Sequence, residues 1–174
     1  MPLSFRLLTT QDTLAFQALR LQSLKINSSA FLSDFDSEQQ KPAARFSQEI
    51  VFASLKSPYG YYGCFVDQEL VGYVQINNNG LAKQAHVAFL YNLFFNPAFR
   101  GQGLATQLVN NLINLLKQQQ IEKLFASCLG RNQTALHFYQ QLGFSEYGRR
   151  RDSVKWQGQY DDEIELVMNL LPVV

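Results

Sequence analysis

Leu93-Phe94-Phe95-Asn96-Pro97-Ala98-Phe99-Arg100-Gly101-Gln102-Gly103-Leu104-Ala105-Thr106 passes from an apolar, aromatic segment through a basic glycine loop. Its hydrophobic residues then continue as Leu108, Val109, Leu112, Ile113 and Leu116. The upstream half reads as a strand that stops at Asn96-Pro97, because proline cannot extend a hydrogen-bonded ladder. The downstream spacing predicts a helix over about Gly103–Gln119. Strand, glycine turn and helix start together make a phosphate-binding arrangement. Glycine lets backbone approach closely, and the first N–H groups of the helix point outward at the positive end of its dipole. Arg100 adds fixed positive charge beside them.

Two nucleotide motifs share this layout and fail on their own parts. A Walker loop needs G-x-x-x-x-G-K-[ST], and this loop has no lysine. A dinucleotide fingerprint needs a third glycine where Thr106 stands. It also needs a carboxylate closing the next strand, which here ends Ser127-Cys128-Leu129.

Outward from the loop, Leu3–Leu8 reads as a first strand. A helix follows, capped by Thr10 or Asp12, with Leu14, Phe16, Leu19, Leu21 and Leu24 on its buried face. Asn27–Ser37 reads as a polar break carrying Phe31, Leu32 and Phe35. A helix over Ala43–Leu55, a hairpin of Tyr61–Val66 and Leu70–Ile76, and a long strand over Gln84–Phe95 come next. After the glycine-loop helix, Lys123–Cys128 reads as a strand. Asn132 caps a helix that stops at Gly143, and Phe144–Arg149 and Tyr160–Leu170 close the chain as strands joined through Trp156-Gln157-Gly158. Hairpins mixed with strand–helix–strand crossovers predict an α/β fold: a mixed, mostly antiparallel sheet of about seven strands with helices on both faces. Residues 1–174 are expected to form one domain.

The chain is 47% hydrophobic and 17% charged with a formal net charge of +1, so no strong field draws nucleic acid or anionic lipid. Arg149-Arg150-Arg151 is a short cluster rather than a basic face. Two cysteines, Cys64 and Cys128, suggest neither a disulfide framework nor a zinc site, and no metal is expected. No apolar run spans a membrane and no signal-peptide plan appears, so the expected compartment is the cytoplasm. His86 and His137 read as packed or surface histidines.

The loop matches Arg-x-x-Gly-x-Ala through Arg100, Gly103 and Ala105. Downstream stands Asn132-Gln133-Thr134-Ala135-Leu136-His137-Phe138-Tyr139-Gln140-Gln141-Leu142-Gly143-Phe144. These two motifs, in this order and spacing, resemble those of the GCN5-related N-acetyltransferase (GNAT) superfamily. The opening segment around Ala30-Phe31 and the closing Tyr160-x-Asp162-Glu163 are similar to those of one of its subgroups.

The resemblance implies an acyl-CoA N-acyltransferase fold and direct attack of a primary amine on acetyl-CoA in a ternary complex. Pantetheine would lie along Leu93, Phe94 and Phe95. The pyrophosphate would sit on Gly101, Gln102, Gly103, Leu104, Ala105 and Thr106 beside Arg100, with Asn132, Ala135 and Phe138 on the other wall. Tyr139 occupies the family's general-acid position; the competing reading is a buried core tyrosine. Many relatives carry a glutamate on the fourth strand, but His86–Phe95 has none. Tyr91, expected on one face with Leu93 and Phe95, would order a water there, and Glu38, Asp161, Asp162 and Glu163 are remote alternatives as base. Phe31, Phe35 and Tyr160 are expected at the acceptor pocket. The acceptor is a small amine, an amino acid or a peptide amine, and the family often forms homodimers. The alternative class is a non-catalytic acyl-CoA-binding sensor.

Overall fold

The hairpin expected around Asp67-Gln68-Glu69 forms between β2 (Gly60–Val66) and β3 (Glu69–Asn77), with Glu69 already in the strand, in the computed structural model, which describes residues 2–172. Asp67 and Gln68 both take positive φ, 49° and 72°, as a two-residue hairpin turn requires. β1 (Leu3–Leu7) pairs with β2, and β4 (Val87–Phe95) with β3, all antiparallel. Helix α4 (Leu104–Gln118) then carries the chain across to β5 (Lys123–Leu129), which runs parallel to β4. β6 (Ser145–Trp156) and β7 (Gln159–Asn169) form a terminal hairpin with β7 inside, so the seven strands order as β1-β2-β3-β4-β5-β7-β6. The mixed, mostly antiparallel sheet expected from the sequence is the sheet observed.

Helices cover both faces. The predicted stripe of α4, Leu104, Leu108, Val109, Leu112, Ile113 and Leu116, is buried against Val74, Leu90, Leu124 and Leu166. Helix α5 (Gln133–Gln141) adds Tyr139 to the same core. On the other face, Phe16 and Leu19 of α1 (Thr13–Ile26) and Phe46 and Ile50 of α3 (Ala43–Ala53) pack on Tyr61, Phe65 and Tyr73.

Three expectations need correction. Leu14 is 72% exposed, and the buried face of α1 is instead Phe16, Leu19, Arg20, Ser23 and Leu24. The break at Asn27–Ser37 runs into a short helix, α2 (Phe35–Gln39), capped by Asp34, whose carboxylate accepts the Ser37 N–H at 2.9 Å. Five residues are too few to show a hydrophobic period, which is why the sequence hid it. The strand expected to end at Arg149 runs on to Trp156, so the arginine cluster lies within β6. There Arg149 pairs with Glu146 and Asp162, and Arg150 with Glu163 and Glu165.

The turn entering α1 is fixed by Asp12. Its carboxylate takes a two-pronged grip from Arg6 at 2.7 and 2.8 Å and accepts the Thr9 N–H at 2.8 Å. Arg6 holds the Asp12 carboxyl below the usual aspartate range. A depressed carboxylate contributes stability above its unfolded pKa of about 3.9 and loses it as pH falls. Asp12→Asn should therefore cost about 1 kcal/mol at neutral pH. Urea midpoints should show the gap between the two proteins closing below about pH 4.

Candidate active site

β4 and β5 stay hydrogen-bonded only from Val87–Leu90 against Lys123–Ala126; beyond that point each strand continues with its other neighbour alone. The separation follows from a bulge in β4. Tyr73 pairs with Phe94 and Gln75 with Tyr91, so Asn92 and Leu93 together oppose Val74. Asn92 sits at φ 54°, with its amide donating to Gln75 Oε1 at 3.0 Å and its Oδ1 accepting from buried Arg20 at 3.4 Å. The extra residue reverses the alternation. Leu90, Leu93 and Phe95 face the α4 core, Phe94 faces the α1 core, and Tyr91 stacks on Phe89 instead. Tyr91 therefore does not share a face with Leu93 and Phe95, contrary to the simple period-two reading.

At the end of β4, Asn96 accepts the Ala98 N–H, and a short turn leads to two glycines in left-handed conformation, Gly101 at φ 75° and Gly103 at φ 73°. α4 starts at once, with no side chain capping it. Among the described residues, the N–H groups of Gly101 through Thr106 have no protein acceptor, the first paired one being that of Gln107. A Cβ at Gly101 would meet nothing within 4 Å, so this glycine answers to backbone conformation and not to a protein neighbour. Six unpaired N–H groups around a helix start make an anion cradle, with the chemistry to hold a pyrophosphate. Arg100 is anchored beside it, its Nε donating to the Phe95 carbonyl at 2.9 Å and its Nη2 to Asn27 Oδ1 at 3.3 Å.

From this cradle a channel runs between the end of β4 and α5 to Tyr139. Tyr139 is buried at 6% exposure, with Phe138 and Phe144 edge-on to its ring at 5.5 and 5.3 Å. Among the described residues its hydroxyl has no hydrogen-bond partner, and burial pushes its pKa above the ordinary tyrosine value. Asn132 holds the start of its helix by accepting the Ala135 N–H at 3.1 Å.

Past Tyr139 lies a second chamber of about 200 Å³, walled by Phe31, Tyr91, Ser127, Cys128 and Glu163. Glu163 is buried; one carboxylate oxygen accepts the Ser127 hydroxyl at 2.7 Å and the other faces Arg150 at 3.2 Å. Burial, followed by the surrounding carboxylates, pushes the Cys128 thiol up to about 11. It is a protonated wall residue at neutral pH.

The model of the Acetyltransferase (GNAT) family matches residues 24–144. The chain belongs to this family.

An uncharacterized N-acetyltransferase of Methanocaldococcus jannaschii is 33% identical over 91 residues, covering 50% of this chain and 39% of that protein. The chain spans less than half the length of the curated relatives it matches. A GNAT-family acetyltransferase from Streptococcus pneumoniae superposes with a TM-score of 0.84 at 19% identity, covering 97% of this chain and 99% of that one. Salmonella typhimurium yncA, solved with its cofactor acetyl-CoA, superposes at 0.79 with 14% identity, covering 100% of this chain and 97% of that one. At such identities these structures establish the fold.

In the GNAT frame, every residue assigned from sequence to the cofactor wall lines the channel except Gln102, which is exposed and turned toward the Ala98 carbonyl. Phe31 lines both chambers, its ring edge-on to Phe94 at 6.4 Å. Phe35 and Tyr160 line neither. The turn of α2 places the Phe35 ring 6.0 Å from the Lys25 ammonium, and Tyr160 is exposed near the hairpin tip under Lys155. His86 and His137 are exposed and stand outside the chambers. Glu163, a remote base in the sequence reading, is in the chamber wall. The strand order β4-β5-β7 brings it there, and nothing in the sequence sets Glu163 apart from Asp161, Asp162 and Glu165 of the same strand.

Proposed function

We propose that this chain transfers the acetyl group of acetyl-CoA to a primary amine. The observation that carries this reading is the continuity of the site: an N–H cradle at one end, the β4 edge between, and the unpaired Tyr139 hydroxyl where the channel meets the second chamber. Gly101 to Thr106 would bind the pyrophosphate, and the β4 edge beyond Leu90, unpaired with β5, would bind the pantetheine amides. The acetyl thioester would then lie near Tyr139, with the amine entering from the chamber of Phe31 and Tyr91. Amine nitrogen attacks the thioester carbonyl carbon, a C–N bond forms, and the C–S bond breaks. Tyr139 gives its proton to the departing thiolate and recovers one from the newly acylated nitrogen through the cleft.

Transfer is direct. A thiol held at about 11 is a poor nucleophile at neutral pH, which argues against an acetylated Cys128. Cys128→Ala should keep turnover within about tenfold of wild type, where removing a covalent nucleophile costs about 10⁶-fold. Intact-protein mass spectrometry after a pulse of acetyl-CoA should find no acetylated enzyme.

The activity is tested by following free-thiol release from acetyl-CoA against alkylamines, amino-acid amides and short peptides, with mass spectrometry of the product. Calorimetric binding of acetyl-CoA with no acetylated product across that panel would instead favour the sensor. β4 lacks the carboxylate whose absence would favour a sensor, and Glu163 supplies one to the same chamber from β7.

A further inference from the structure

An amine at neutral pH is mostly ammonium, and a nitrogen without a lone pair cannot attack. Transfer therefore needs a group that takes one proton before the C–N bond forms. Tyr139 cannot do this, because it is itself protonated and is needed at the thiolate. The charged or titratable groups of the second chamber are Tyr91, Cys128, Tyr139 and Glu163. Burial raises the pKa of the first three, so that each is neutral at pH 7. Glu163 is left.

Its setting fits the task. β7 presents Glu163 toward Ser127 of β5, whose hydroxyl holds Oε1, while Arg150 of β6 lies against Oε2. A carboxylate that accepts one hydroxyl and faces one guanidinium keeps lone pairs on each oxygen for a further donor. Tyr91 stands beside it: after burial, the charge of Glu163 is the next cause lifting the Tyr91 hydroxyl.

Building on the acetyltransferase reading above, we propose that Glu163 receives the acceptor's ammonium and takes its proton, with Ser127 as the residue that positions the carboxylate. The balance is one proton. Ammonium gives H⁺ to Glu163, and neutral amine attacks. Tyr139 protonates the thiolate and is restored by the second nitrogen proton, and Glu163 returns its proton to water.

Ethylamine and trifluoroethylamine separate this role from a structural one, since both fit a chamber of about 200 Å³ and the fluorines leave the second amine largely neutral at pH 7.5. Glu163→Gln keeps the shape and can still accept from Ser127, but it cannot take a proton. It should lower kcat with ethylamine by about 10²-fold, and with trifluoroethylamine by less than about tenfold. Glu163→Asp, which keeps a carboxylate at a worse distance, should recover part of the ethylamine rate although it fits less well. An equal loss with both amines, or no loss with either, overturns the assignment, and so does an Asp variant no better than Gln. These results differ from the failure of the parent reading, in which wild type itself acetylates no amine. Thermal melts of each variant identify a loss caused by unfolding. If Glu163→Gln does not fold, the assignment rests on Glu163→Asp, whose loss must be larger for ethylamine than for trifluoroethylamine.

Discussion

Tyr139→Phe is expected to lower kcat by about 10²-fold or more while leaving acetyl-CoA affinity nearly unchanged. The substitution removes one oxygen and nothing else. The ring keeps its edge contacts with Phe138 and Phe144, so the wall of the channel stays in place. No hydrogen bond within the described protein is lost, so the fold should melt at the wild-type temperature or slightly above it. What disappears is the proton for the departing thiolate. A thiolate leaving without a proton is the poorer leaving group, so the general acid is worth about 10²–10⁴-fold. The effect should thus fall on kcat, with affinity read separately by calorimetry. Equal kcat in the two proteins would return Tyr139 to the competing role of core packing.

The direction of the Tyr139 pKa adds a test in pH. Burial lifts it above the ordinary tyrosine value of about 10, so the hydroxyl is fully protonated through the neutral and mildly alkaline range. Wild-type kcat should accordingly show no fall through this group below about pH 10. An ordinary exposed tyrosine acting as acid would give a declining limb nearer to that value.

Most features set by neighbouring residues were legible, although the exposure of Leu14 and the short α2 were not, and features set by register were missed. The α4 stripe, the Asn132 cap and the Asp67-Gln68 turn each depend on residues within one or two turns of chain, so spacing is enough to find them. The face of Tyr91 was misread because alternation assumes an unbroken strand, although the residue still lines the second chamber. The bulge at Asn92 is stabilised by Gln75 and Arg20, partners distant in sequence that no local pattern reveals. Glu163 was placed far from the chemistry because its nearness depends on β7 inserting between β5 and β6. Phe35 and Tyr160 show the converse: aromatic residues in segments near the acceptor side were credited to a pocket that their backbone turns them away from.

Gly103→Val should weaken acetyl-CoA binding by about 10²-fold or more while altering the fold little. Gly103 caps α4 at φ 73°, a conformation in which a β-branched side chain is a strong outlier. Valine would rotate this peptide toward negative φ. The turn would then no longer aim the N–H groups of Gly101 to Ala105 at one point. Each charge-assisted hydrogen bond from such a group contributes about 1.5–3 kcal/mol, so misdirecting two gives a loss of at least the stated size. A Cβ at Gly103 would meet only the flexible Gln107 amide at 4.0 Å, and the buried stripe begins after it, at Leu104. Unfolding free energy should consequently drop by no more than the strain of one left-handed residue, about 1–2 kcal/mol. Gly103→Ala supplies the intermediate case, with the same strain in a smaller residue and a smaller loss of affinity. Calorimetry with CoA alone, which carries the pyrophosphate but no acetyl group, should show the same ranking of wild type, alanine and valine. If CoA bound all three proteins equally, the cradle would not be where the pyrophosphate is held.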